Sequence, residues 1–146
     1  MKIAQKIIQN NEEIKLDASN IAYDDLQGIA RLLGWGVIVE SGENENGEYI
    51  KFGNGRMVCQ AYIEFDNIGV TSSWGSLYMS GNISWQYPEP FVGRPFASAN
   101  DNITAQPVFE IPVTVSTSVY LFKLASAQSF SSRSRQISLY AIGRWK

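Results

Sequence analysis

From Trp35 onward the chain is a succession of short apolar runs separated by turn chemistry, and that texture confines it to an antiparallel β fold. The firmest point is Gly53-Asn54-Gly55. It lies between Tyr49-Ile50-Lys51-Phe52 and a returning run from Arg56 to Phe65. Asn-Gly tolerates the positive backbone angles that a tight hairpin imposes. Further extended runs are read at Trp35–Glu40, Leu77–Trp85, Val108–Val115, Val119–Leu124 and Gln136–Gly143. Ser41 to Gly47 and Ser126 to Gln136 read as polar loops. Pro88, Pro90 and Pro95 interrupt any strand between them. Residues 35–146 are therefore expected to form a mainly β domain, an antiparallel β-sandwich of jelly-roll-like character.

Residues 1–34 have a different texture and form a separate N-terminal segment. Ile3, Ile7, Asn10 and Ile14 are spaced four, three and four apart, the seam of a coiled coil. Isoleucine at both seam positions favours trimers, and a seam Asn fixes register. The same pattern also suits an amphipathic helix lying on its own domain. Asp17-Ala18-Ser19-Asn20 supplies helix-capping residues, and Leu26, Ile29, Ala30 and Leu33 continue a helical pattern up to Gly34. This segment is expected to be helical and to serve as a stem or attachment piece.

The charge balance is near zero, with 12 Lys plus Arg against 14 Asp plus Glu. It offers no global field to draw in nucleic acid, so no nucleic-acid partner is expected. No run approaches the roughly 20 apolar residues of a membrane helix, so no membrane insertion is expected. The first ten residues mix polar groups into what would be the apolar run of a signal peptide. There are no histidines and one cysteine, Cys59. That excludes a Ser–His–Asp triad, a Cys–His pair, a histidine zinc site and an intrachain disulfide. Neither a metal nor a cofactor is expected.

Catalysis has few groups to use. The carboxylate pairs are Glu12/Glu13, Asp24/Asp25 and Glu43/Glu45, and nothing in their spacing sets two carboxyls across a scissile bond. Cys59 lies in an apolar strand and reads as a small buried hydrophobe. The chain is not expected to be an enzyme. Its densest cluster is aromatic: Trp74, Tyr78, Trp85, Tyr87, Phe91 and Phe96. Such rings are usually core, and Trp85, Phe91 and Phe96 are assigned there. Aromatic faces also stack on sugar rings, with polar neighbours bonding the hydroxyls. On that reading the candidate glycan-contacting residues are Trp74, Tyr87, Arg94, Asn100, Asp101, Arg133 and Arg135, the last two in the Ser-rich loop.

Three segments in order carry a resemblance. Glu48 to Cys59 is similar to an opening hairpin of bacteriophage tail-fibre and appendage proteins: an aromatic–x–aromatic pattern, a small turn, then an apolar strand with a cysteine. Ile83-Ser84-Trp85-Gln86-Tyr87-Pro88-Glu89-Pro90-Phe91 with Arg94-Pro95 resembles their middle signature, and Ala141-Ile142-Gly143-Arg144-Trp145 their closing strand. Asp17 to Asp24 also resembles a link between repeats of fibres and spikes. The resemblance implies a terminal knob, usually homotrimeric, that recognises a host-surface saccharide or anchors an appendage on the virion. It implies attachment to another virion protein through residues 1–34, and assembly into the virion after synthesis in the host cytoplasm. The second reading is a purely structural decoration, collar or head-fibre protein. Only Trp85, Pro88, Phe91, Gly143 and Trp145 carry over, as scaffold positions.

Overall fold

The computed structural model describes residues 5–9, 12–16, 36–103 and 105–146. Among them no residue is helical, and every strand pairing is antiparallel. Gln5–Gln9 (β1) and Glu12–Leu16 (β2) pair with each other. Ile38–Asn44 (β3), Gly47–Phe52 (β4) and Arg56–Val70 (β5) form a meander. Ser72–Trp74 (β6), Leu77–Met79 (β7), Ile83–Gln86 (β8), Phe96–Asp101 (β9), Phe109–Val115 (β10), Val119–Ser126 (β11) and Phe130–Arg144 (β12) follow. They make two five-stranded sheets. One has the order β3-β4-β5-β12-β9; the other runs β10-β11-β7-β6, with β8 also paired to β11.

The sheets share one core. Met57, Cys59, Ile137, Leu139 and Ala141 come from the first sheet, and Ile83, Trp85, Tyr120, Phe122 and Leu124 from the second. Burial of this kind stabilises by roughly 25 cal/mol per Å² of apolar surface. The sequence encodes it by alternation. Along β5, Met57 and Cys59 are buried while Arg56, Gln60, Tyr62 and Glu64 are exposed.

Local chemistry closes the irregular points. Gly55 takes φ +88° in the β4–β5 turn, where its N–H bonds the Phe52 carbonyl at 3.0 Å. Pro112 falls on β10, an edge strand, beside a register shift, a position of the kind to which proline is confined in sheets. β7 and β8 lie along one edge of β11. Between them the Ser80 N–H donates to the Leu124 carbonyl at 2.8 Å, and the Ser80 hydroxyl accepts the Leu124 N–H at 2.9 Å. The β9 edge is covered from the other sheet. Glu110 accepts the Ala99 N–H, the Ser98 hydroxyl at 3.0 Å and the Tyr120 hydroxyl at 2.8 Å.

Several expectations are corrected. Where a helix is expected over residues 1–16, the described Gln5–Gln9 and Glu12–Leu16 are instead paired strands, with Ile7 opposite Ile14 and Gln9 opposite Glu12. β-Branched isoleucines serve a strand at least as well as a helix, and Asn10-Asn11 is turn chemistry in sequence. Ile3, Asn10 and the helix expected within residues 17–34 lie outside the described residues. The polar loop expected from Ser41 to Gly47 is strand up to Asn44, with the turn at Glu45-Asn46. The Ser-rich loop expected from Ser126 to Gln136 is mostly strand, because β12 starts at Phe130. Phe96, assigned to the core, is 84% exposed on β9.

Candidate functional site

The three resembling segments converge on the inner side of the β3–β4–β5–β12 sheet. The Trp85 ring meets Tyr87 edge-on at 5.0 Å, and Tyr87 meets Phe91 at 5.1 Å. Phe91 lies against Gly143, where a Cβ would stand 2.8 Å from Phe91 Cδ1 and 3.0 Å from Pro95 Cβ. The Trp85 indole N–H donates to the Asn46 carbonyl at 2.8 Å, and Asn44 Nδ2 donates to the Pro88 carbonyl at 2.8 Å. The Trp145 indole N–H donates to the Phe52 carbonyl at 2.9 Å. Trp85, Pro88 and Phe91 are buried and Trp145 half-buried.

Lys51 lies at the centre of this corner. Its buried ammonium bonds Glu89 at 2.8 Å and Glu40 at 3.0 Å, and stands 5.2 Å from the Tyr49 ring and 5.7 Å from the Trp145 ring. Burial works against its charge, but the hydrogen bonds to Glu89 and Glu40 outweigh that and raise its pKa. Hydrogen bonds from Tyr49 and Lys51 hold the Glu40 carboxyl below the usual range. Cys59 is fully buried, and burial pushes its thiol up to about 12, which leaves it unreactive. The corner is therefore a structural clamp built from a satisfied cation and stacked rings.

The sequence-predicted ligand residues do not form one site. Trp74 is 53% exposed on β6, the outermost strand of the second sheet. Tyr87 is 3% exposed inside the aromatic stack. Arg94 is exposed in the connection before β9, Asn100 is exposed on β9, and Arg133 is exposed on β12. Asp101 and Arg135 form an ion pair with both side chains fully buried. Arg135 also bonds Gln106 Oε1 at 2.9 Å and the Ile68 carbonyl at 3.3 Å, while Asp101 Oδ1 accepts the Ile103 N–H at 3.2 Å. Tyr87, Asp101 and Arg135 are thus core residues that no ligand reaches from solvent. The register shift between Arg133 and Arg135 puts two arginines with ordinary same-face spacing into opposite surroundings.

A different set of side chains does come together. The outer face of the first sheet carries an open cleft of about 600 Å³. Register builds it: Glu43 pairs with Glu48, Glu48 with Gln60, and Gln60 with Tyr140, one residue per strand from β3 to β12. Tyr62 pairs with Ser138 in the next row, beside Asn100. Tyr62 is 63% and Tyr140 44% exposed. Gln60 Nε2 donates to Glu48 at 3.1 Å, and the Tyr62 hydroxyl donates to Gln136 at 2.8 Å. Glu45 and Asn44 complete the rim. Two aromatic faces amid amide, hydroxyl and carboxylate groups suit a polyhydroxylated ring. Sequence reasoning overlooked these residues because it placed Glu43 and Glu45 in a loop. The available signal was the exposed alternation Gln60, Tyr62, Glu64. Among the described residues no group of acidic or sulfur ligands suits a metal ion.

No family profile and no curated protein matches the sequence. Among solved structures, an N-truncated R1-type pyocin tail fiber is similar to this chain, with a TM-score of 0.50 at 15% identity, covering 80% of this chain and 93% of that one. At that identity the likeness concerns the fold, and the described part of this chain has a tail-fibre-type, mainly β fold.

Proposed function

We propose that this chain is a non-enzymatic phage-type virion appendage, a fibre or spike knob, which assembles as a homotrimer and recognises a saccharide on the host surface. The observation that carries the reading is the fold likeness to a pyocin tail fiber over 80% of the chain. It is supported independently by the tail-fibre-like segments, which meet in a single clamp rather than lying scattered. Residues 1–34 would dock the knob on another virion protein, and the domain from residue 35 would present the recognition surface.

Assembly is supported by an apolar row on the outer face, half-buried at Ile50, Val58 and Ile142 and exposed at Phe96. Ile50, Val58, Ile142 and Phe96 are in register across β4, β5, β12 and β9, and Phe96 is 84% exposed. Burying such a row between copies follows the same physics as building a core. Three copies on one body would also raise the effective affinity of weak sites by avidity. Sedimentation at micromolar concentration is expected to give a trimer; a stable monomer would overturn the assembly. A glycan array is expected to return hits from host-surface saccharides. An array without hits favours the second reading, a purely structural decoration or collar protein, which draws support from the number of candidate ligand residues that turn out to be core.

A further inference from the structure

We infer that copies of this chain close into a ring through the β9–β10 edge, with Phe96 of each copy packed on Val113 of the next. The inference rests on the homotrimer reading above and adds the surface that meets and the order in which the copies meet.

The occupant of this edge follows from its chemistry. Among the described residues Phe96 is the most exposed large apolar side chain, at 84%, and Val113 stands 45% exposed beside the register shift of β10. Phe109, half exposed, extends the apolar margin along β10. The two strands hold one charged residue each, Asp101 and Glu110. Both are engaged within the chain, Asp101 by Arg135, and Glu110 by Ser98, Ala99 and Tyr120. The exposed residues of the two strands are therefore all uncharged. An edge left to water commonly carries charge to deter pairing, and β3, the other edge of the first sheet, carries the exposed Glu40 and Glu43. Depletion of charge around an apolar centre is what sets an interface apart from other surface. The electrostatic complement of an uncharged margin is another uncharged margin, and a second copy supplies it.

The order of contact follows from level along the strands. Arg135 bonds both Asp101 and Gln106, which sets the end of β9 beside the approach to β10. Further along, Glu110 bonds the Ser98 hydroxyl and the Ala99 N–H. The two strands thus pass each other in opposite directions. Three residues beyond the Ala99–Glu110 contact, Phe96 and Val113 stand at one level. Phe96 belongs to the outer face of the first sheet, in register with Ile142, and β10 borders the second sheet. A threefold axis beside this edge, running along the strands, preserves the level. It also turns the first-sheet corner of one copy against the second-sheet corner of the next, so Phe96 meets Val113. Two unlike patches joined head to tail make a closed ring, whereas a twofold dimer pairs Phe96 with Phe96 and leaves Val113 uncovered.

Sedimentation of the full chain at micromolar concentration, together with cross-linking of cysteine variants, tests this. Wild type is expected to be a trimer. Phe96→Glu and Val113→Glu are each expected to weaken trimerisation at least about thirtyfold, with the far-ultraviolet dichroism of wild type. Trp74→Glu, exposed on the far edge strand β6, is expected to leave the trimer intact. Phe96→Cys with Val113→Cys in one chain, treated with a short bis-maleimide and quenched before denaturation, is expected to run as a covalent trimer. Each single cysteine variant is expected to run as a monomer, because Cys59 is fully buried. Cross-linked dimers from Phe96→Cys alone would overturn the head-to-tail order, and a ladder running past the trimer would overturn ring closure. A wild-type trimer that survives both glutamate variants would overturn the surface while the homotrimer reading stands. A monomeric wild type would overturn both.

Discussion

The two faces of the β3–β4–β5–β12–β9 sheet are built from the same strands and obey opposite rules. On the inner face each charge is answered: Arg135 by Asp101, and Lys51 by Glu89 and Glu40. The large rings there stack on one another or bond a carbonyl. On the outer face Glu43 pairs with Glu48 across the strands, two tyrosines are exposed, and the row from Ile50 to Phe96 ends in a phenylalanine that is 84% exposed. Buried polar groups gain by being satisfied because desolvation is costly, and among the described residues the Tyr87 hydroxyl is the buried side-chain group without a partner; an exposed face is free to hold groups that await a partner. The inner face accordingly carries stability, and the outer face is where recognition and assembly are proposed.

The largest expected break of this contrast is at the buried ion pair. Arg135→Ala leaves Asp101 buried without its partner and is expected to cost about 3–5 kcal/mol in urea denaturation. Asp101→Leu with Arg135→Met is expected to recover most of that loss, because the desolvated charges leave together. A single-variant loss below about 1 kcal/mol would place the pair in solvent. Trp145→Ala comes next. The half-buried indole loses its contacts and its bond to the Phe52 carbonyl, for an expected cost of about 2–3 kcal/mol, less than for a fully buried ring. The smallest effects belong to exposed positions. Arg133→Ala and Phe96→Ser are expected to stay within about 0.5 kcal/mol of wild type in denaturation. Phe96→Ser should nevertheless weaken self-association in sedimentation, so the two measurements separate stability from assembly.

Arg133 and Arg135 also show how far the sequence can be read. Two arginines spaced by two look equivalent in a Ser-rich stretch, and both were assigned to an exposed loop. A register shift in β12 separates them, and register depends on the partner strand, which lies nearly seventy residues earlier in the chain. The hairpin at Gly53-Asn54-Gly55 was legible because its signal is local. The core place of Trp85 was legible because a ring of that size between the polar Ser84 and Gln86 has few other destinations, and that of Phe91 because large rings are usually buried. β9 was not legible: Ala97-Ser98-Ala99-Asn100-Asp101 has weak strand propensity and is held by β12 and by Glu110 from the opposite sheet. Phe96 misled in the other direction, since a ring beginning that strand looks like core until the register turns it outward. The cleft was hidden for a related reason. Its residues come from β3, β4, β5 and β12, and only pairing brings them to one surface.

The division between the faces is tested most directly by amide-shift mapping of isotope-labelled protein titrated with a host-surface saccharide that scores on the glycan array. The account predicts perturbations concentrated at Glu48, Gln60, Tyr62, Ser138 and Tyr140, with the amides of Trp74 and Arg133 unmoved. Perturbations centred on the Trp74 hairpin, with those five amides unchanged, would contradict it.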